Sequence, residues 1–156
     1  MLSLSEEQLP VLIKAKAHYL SGKLCFFENA YAQSLRDYQQ AIDLVEQQMQ
    51  QLEESRKDGA TARTLIAKCY QNMGLTKSQS ANHKQAMALC DRSLPIVEAL
   101  IAEQESLPEE TASATTKHGH SKILFKYWLK RAILLKRSSS FRESYDTLLD
   151  LEARIR

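Results

Sequence analysis

Turn-forming residues are scarce, with four glycines and three prolines in 156 residues. An all-β sandwich or barrel needs turn residues about every 8–12 positions, so that class is excluded. A doubly wound nucleotide-binding fold needs glycine-rich phosphate turns, and none is present. The three cysteines, Cys25, Cys69 and Cys90, are odd in number and far apart, which fits neither a disulfide framework nor a zinc knuckle. They fall in apolar stretches and read as small buried hydrophobes. No apolar run approaches about 18 residues and no signal peptide is visible, so a soluble, intracellular protein of cytoplasm or nucleus, off the membrane, is expected.

Catalytic strings are missing as well. No HExxH, GxSxG, P-loop or GxGxxG occurs. Glu53-Glu54 and Glu109-Glu110 read as solvated pairs rather than buried acid–base partners. His118-Gly119-His120 offers two ligands in a loop, too few for a metal site. The reading is therefore of a binding protein with no enzyme activity, no metal and no cofactor.

Charge is present but unevenly placed. The chain carries 21 basic and 19 acidic residues, a net +2. Residues 1–60 have three more acids than bases, whereas residues 111–156 have six more bases than acids. From Thr111 to Arg142 there is a single acid-free run of eight Lys/Arg, ending before Glu143. Such an end attracts anionic partners.

Helical periodicity runs through the chain. Ser5-Glu6-Glu7-Gln8 reads as a capping box, and Pro10 fits only near a helix start. The first helix is expected from about residue 8–11 to 34, with Ile13, Ala17, Leu20, Leu24, Phe27 and Tyr31 as its apolar stripe. A second is expected over about 37–56, stopped by Lys57-Asp58-Gly59. A third covers about 61–77 and a fourth about 83–105, with a kink or break at Pro95. Residues 106–120 read as a mobile loop. A fifth helix runs over about 121–137 and a sixth from Phe141 onward. The total is six helices in one domain of three hairpins, over about 8–57, 60–105 and 121–156.

The second helices open alike. Tyr38 with Ala41 and Val45, His83 with Ala86 and Cys90, and Phe141 with Ser144 and Leu148 share one spacing. Each has a ring, a small residue three later and an apolar residue four after that. On these residues the chain resembles the tetratricopeptide-repeat family, whose roughly 34-residue unit is a helix–turn–helix. Setting Ala41, Ala86 and Ser144 on one register position puts Asn29, Gly74 and Ala132 on the family's other small position, and Trp128 on its tryptophan. The spacings, 41 to 86 and 86 to 144, exceed the family's unit, as in its extended variants or the microtubule-interacting-and-transport module.

The resemblance implies an all-α fold of three antiparallel hairpins stacked as a right-handed superhelix. It implies a concave groove lined by the first helices, with Lys23, Lys68 and Lys126 in one register, and Phe27, Asn72 and Lys130 in another. Chaperone-binding members clamp an acidic tail there. Asn72, Lys126 and Lys130 match or nearly match that clamp, while Phe26 and Ala30 do not. The expected function is a non-catalytic adaptor that holds a protein or acidic peptide segment, in co-chaperone fashion in one version. Self-association through uncovered ends is a further expectation. The alternative is a nucleic-acid-binding helical protein, using the basic C-terminal third with Phe125, Tyr127 and Trp128 stacked on bases. Lys136-Arg137-Ser138-Ser139-Ser140 also resembles a basophilic kinase site.

Overall fold

Helix-forming residues with period-3.6 patterning fold here into helices alone. The structure is a computed structural model that describes residues 8–107, 114–138 and 140–155, and no strand occurs among them. The elements are α1 (Gln8–Phe27), α2 (Tyr31–Gln47), α3 (Met49–Leu52), α4 (Arg56–Ser78), α5 (His83–Asp91), α6 (Ser93–Ser106), α7 (Ala114–Arg137) and α8 (Phe141–Ile155). No described helix is long and apolar enough to cross a membrane.

Three hairpins result: α1 with α2–α3, α4 with α5–α6, and α7 with α8. From the second hairpin on, each first helix also packs against the preceding second helix, α4 on α2 and α7 on α5–α6. The core follows that order. Tyr38, Ile42 and Val45 of α2 share a buried cluster with Leu65, Ile66, Cys69 and Met73 of α4. Ala86 and Cys90 of α5 share another with Tyr127 and Leu134 of α7. Val97 of α6 joins Ala67 and Ile123 in a third.

Small residues set the closeness of each hairpin. Ser34 Oγ donates to the Gly22 carbonyl at 2.7 Å, and Ser144 Oγ donates to the Ala132 carbonyl at 2.8 Å. A Cβ on Gly74 would lie 2.8 Å from the Ala86 carbonyl oxygen, so these backbones nearly touch. Gly22–Ser34, Gly74–Ala86 and Ala132–Ser144 are all twelve residues apart. Asn29 and Ala81, each seven residues after their glycine, both turn with positive φ, at 63° and 61°. These features fix the repeat register.

That register corrects the sequence reading. The first hairpin's small pair is Gly22–Ser34, not Asn29–Ala41, so the true spacings are 34 to 86 and 86 to 144. Lys16, not Lys23, is then the register partner of Lys68 and Lys126. The first helix ends at Phe27 rather than near 34, because the backbone turns at Asn29. The expected apolar stripe of that helix faces outward: Ile13, Leu20, Leu24 and Phe27 are all more than half exposed. Leu12, Ala15 and Tyr19 make the inner face instead.

Gly59 does not stop a helix. It lies inside α4, whose N-cap Ser55 accepts from the Asp58 amide, and a Cβ there would meet Glu53 Cα at 3.3 Å. It admits the incoming chain rather than ending the previous helix. The second helix breaks at Gln48, and the fourth breaks at Arg92, three residues before Pro95, as the missing amide requires. Among the described residues the helices number eight rather than six. The C-terminal part of the expected loop over 106–120 is helical, since α7 begins at Ala114 and carries His120 buried on its inner side. Residues 108–113 lie outside the described residues, as do Ser139 of the kinase-like stretch and the His118 side chain of the histidine pair.

Candidate functional site

The first helices α1, α4 and α7 stand side by side, and the lysines converge on one wall. Burial pushes the Lys68 pKa down, and the charges of Lys126, Lys16, Lys23 and Lys122 push it further. Burial also pushes Lys130 down, to about 8, with Lys126, Lys23 and Lys68 adding to the effect. Repulsion of this kind acts between ammonium groups that lie near one another. Among the described residues none of these lysines makes an ion pair, whereas Arg63 and Arg131 are paired with Glu103 and Asp91. No described carboxylate forms an ion pair with the wall.

Asn72 and Lys130 tie the helices together. Lys130 Nζ donates to Asn72 Oδ1 at 2.8 Å, and Asn72 Nδ2 donates to the Tyr19 hydroxyl at 3.3 Å. Lys23 Nζ lies 5.6 Å from the centre of the Tyr19 ring. One polar chain, with the Lys130 ammonium at its head, thus links α7, α4 and α1.

Two cavities open on the wall. The one between α4 and α7, about 630 Å³, is lined by Arg56, Lys57, Lys68, Lys122 and Lys126 over Ile123, with no carboxylate among its lining residues. The one between α1 and α4, about 360 Å³, sets Lys16 and Lys68 beside Leu12, Ile13 and Tyr19. The carboxylate there, Asp58, is buried with no partner for Oδ2 among the described residues, in the first turn of α4 where the helix dipole favours an anion. His120 Nδ1, buried against the larger cavity, also has no partner among the described residues, and burial pushes its pKa down.

Of the six expected site residues, Lys23, Lys68, Lys126, Lys130 and Asn72 lie together on this wall. Phe27 does not join them. It stands at the end of α1, 75% exposed, in edge contact with Phe26, and lines neither cavity. Sequence reasoning missed Lys16, Lys57 and Lys122. The signal that would have found Lys16 is the twelve-residue small pair, which the first hairpin places at Gly22 and Ser34.

Of the three aromatics expected to stack on bases, Phe125 is exposed and the other two are engaged within the fold. Tyr127 is buried and its hydroxyl donates to Asp91 Oδ1 at 2.7 Å. Trp128 is half-buried under the Arg154 guanidinium, 4.9 Å from the ring centre. The buried thiols of Cys69 and Cys90 are both pushed up to about 12 by burial, which keeps them protonated and inert at neutral pH.

Unpaired cations over apolar pockets can hold carboxylates and anchor an aliphatic side chain beside them. No family model matches this chain, and neither the curated proteins nor the solved structures offer a match to it.

Proposed function

We propose that this chain is a non-catalytic adaptor of tetratricopeptide-like architecture, whose first helices form a groove for an acidic, extended segment of a partner protein. The observation that carries the reading is the wall of Lys16, Lys68 and Lys126, flanked by Lys23, Lys122 and Lys130, none of which forms an ion pair among the described residues. The apolar floor of the smaller cavity favours a segment that mixes Asp/Glu with an aliphatic side chain. Such a ligand relieves lysine–lysine repulsion while burying apolar surface. The hydrogen-bonded Lys130 amine is the most sensitive reporter, because ligand carboxylates hold it protonated.

Calorimetric titration with a short Glu/Leu-rich peptide tests this. Lys68→Glu/Lys126→Glu weakens binding by about tenfold or more, equivalent to about 1.4 kcal/mol. Affinity of the wild type falls as pH rises past about 8, where Lys130 loses its proton. Unchanged affinity in the reversed-charge variant overturns the groove. Tighter binding of single-stranded RNA than of peptide, with the steep salt slope of phosphate neutralisation, transfers the site to nucleic acid.

A further inference from the structure

The repeat register makes the two ends of the array comparable, position by position, with its interior. Ile13 of α1 corresponds to Leu65 of α4 and Ile123 of α7; both counterparts are buried, and Ile13 is 59% exposed. Leu24 corresponds to the buried Thr76 and Leu134, and is 58% exposed. Ala17 is exposed where Cys69 and Tyr127 are buried. The face that α4 and α7 turn towards the preceding hairpin is therefore uncovered on α1 among the described residues.

The other end mirrors this. Leu148 of α8 corresponds to Tyr38 of α2 and Cys90 of α5, which are buried, and is 43% exposed. Ile155 corresponds to the buried Val45 and Val97, and is 66% exposed. Phe141 and Tyr145 extend the same apolar strip. This is the face that α2 and α5–α6 offer to the following hairpin.

Inside the chain these faces meet in a repeated way. Val97 shares a buried cluster with Ile123, and Cys90 and Ala86 share one with Tyr127 and Leu134. Ser34 Oγ, at the Ala86 position, lies 3.4 Å from Thr76 Oγ1, at the Leu134 position. The α8 face is one half of that junction and the α1 face is the other half. Charge agrees with the match. α1 carries Lys14, Lys16 and Lys23 and no acid, whereas α8 carries four acids against two arginines.

We propose that α8 of one copy docks on α1 of a second copy, head to tail, reproducing the internal junction. Ile155 then meets Ile13 of the second copy, Leu148 meets Ala17, and Ser144 meets Leu24. The contact is heterologous, so each added copy leaves a free face at either end, and assembly continues until a ring closes. Ile13 and Lys16 also line the smaller cavity, so the variants below leave both intact and the failure of this junction is distinguishable from failure of the groove.

Sedimentation velocity on the whole chain tests it with two variants. Ala17→Glu/Leu24→Glu blocks the α1 face, and Leu148→Glu/Ile155→Glu blocks the α8 face. All four side chains are exposed, and circular dichroism checks that the helices persist. The wild type grows beyond a dimer as concentration rises, and each variant alone stays monomeric. An equimolar mixture of the two forms a dimer and stops, because one intact junction remains. The blocked faces weaken self-association by about tenfold or more. Three results overturn the proposal: a wild type whose mass is monomeric at every concentration, as when another segment of the chain covers α1; a variant that still dimerises alone, which signals a face-to-face pair; and a mixture that stays monomeric.

Discussion

Tyr38 and Leu148 hold the same register position on the second helices of the first and third hairpins, yet their surroundings are opposite. Tyr38 is 1% exposed, beside Gly22, with the Tyr19 ring 5.9 Å away and α4 across it. Leu148 is nearly half exposed, because no described element packs on that side of α8. Residue type does not separate the two, since both are large and apolar. In a stack of hairpins, burial belongs to the place in the stack, and stability concentrates where a helix has neighbours on both sides.

The comparison breaks most readily by truncation. Tyr38→Ala lowers unfolding stability by about 3–5 kcal/mol, through lost burial and the cavity left against Gly22. Leu148→Ala, measured at a concentration where the chain is monomeric, costs less than about 1 kcal/mol. Urea titration of both variants gives the difference. Equal losses mean that α8 is covered in solution.

Glycine substitutions sharpen the same contrast at smaller scale. In Gly74→Ala the new methyl meets the Ala86 carbonyl oxygen at 2.8 Å and Cys90 Cβ at 3.1 Å. Neither can rotate away, so the hairpin opens at a cost of about 1–3 kcal/mol. Gly119, near the start of α7, has nothing within 4 Å of an added Cβ. Gly119→Ala therefore gains up to about 1 kcal/mol from helix propensity alone. Thermal unfolding should show shifts of opposite sign, and a Gly74→Ala variant as stable as the wild type refutes the assignment of Gly74 as the close-approach residue.

Much of this architecture is legible in the residues, because period-3.6 patterning marks helices wherever the chain is not interrupted. The sixth helix begins where expected, at Phe141, and the break near Pro95 follows from its missing amide. The turn at Glu28–Ala30 is not legible. It has no glycine or proline, and the Ile13-to-Tyr31 spacing continues across it unbroken. Ala41 imitates the small residue Ser34 because the two are seven residues apart. A seven-residue slip rotates a helix face by only about 20°, so the wrong register still selects the right side. That is why Lys23 lands on the same wall as Lys16. Exposure of Ile13, Leu20 and Leu24 is illegible for another reason: apolar periodicity reports a face suited to burial, and only the stack decides whether anything covers it.

The two turns offer the finest version of the comparison. Asn29 and Ala81 take the same left-handed backbone, with φ of 63° and 61°. Asparagine tolerates that region, and its Oδ1 here accepts a hydrogen bond from the Tyr31 hydroxyl at 2.9 Å. Alanine has no such partner, and its Cβ crowds the carbonyl that follows it. Ala81→Gly removes the crowding and gains about 0.5–1 kcal/mol, less whatever the freer unfolded chain takes back. Asn29→Gly exchanges a tolerated conformation and a hydrogen bond for glycine's freedom, and comes out near zero. Parallel urea titrations resolve the two, and if Asn29→Gly stabilises more than Ala81→Gly, side-chain bonding is not what makes the first turn tolerable.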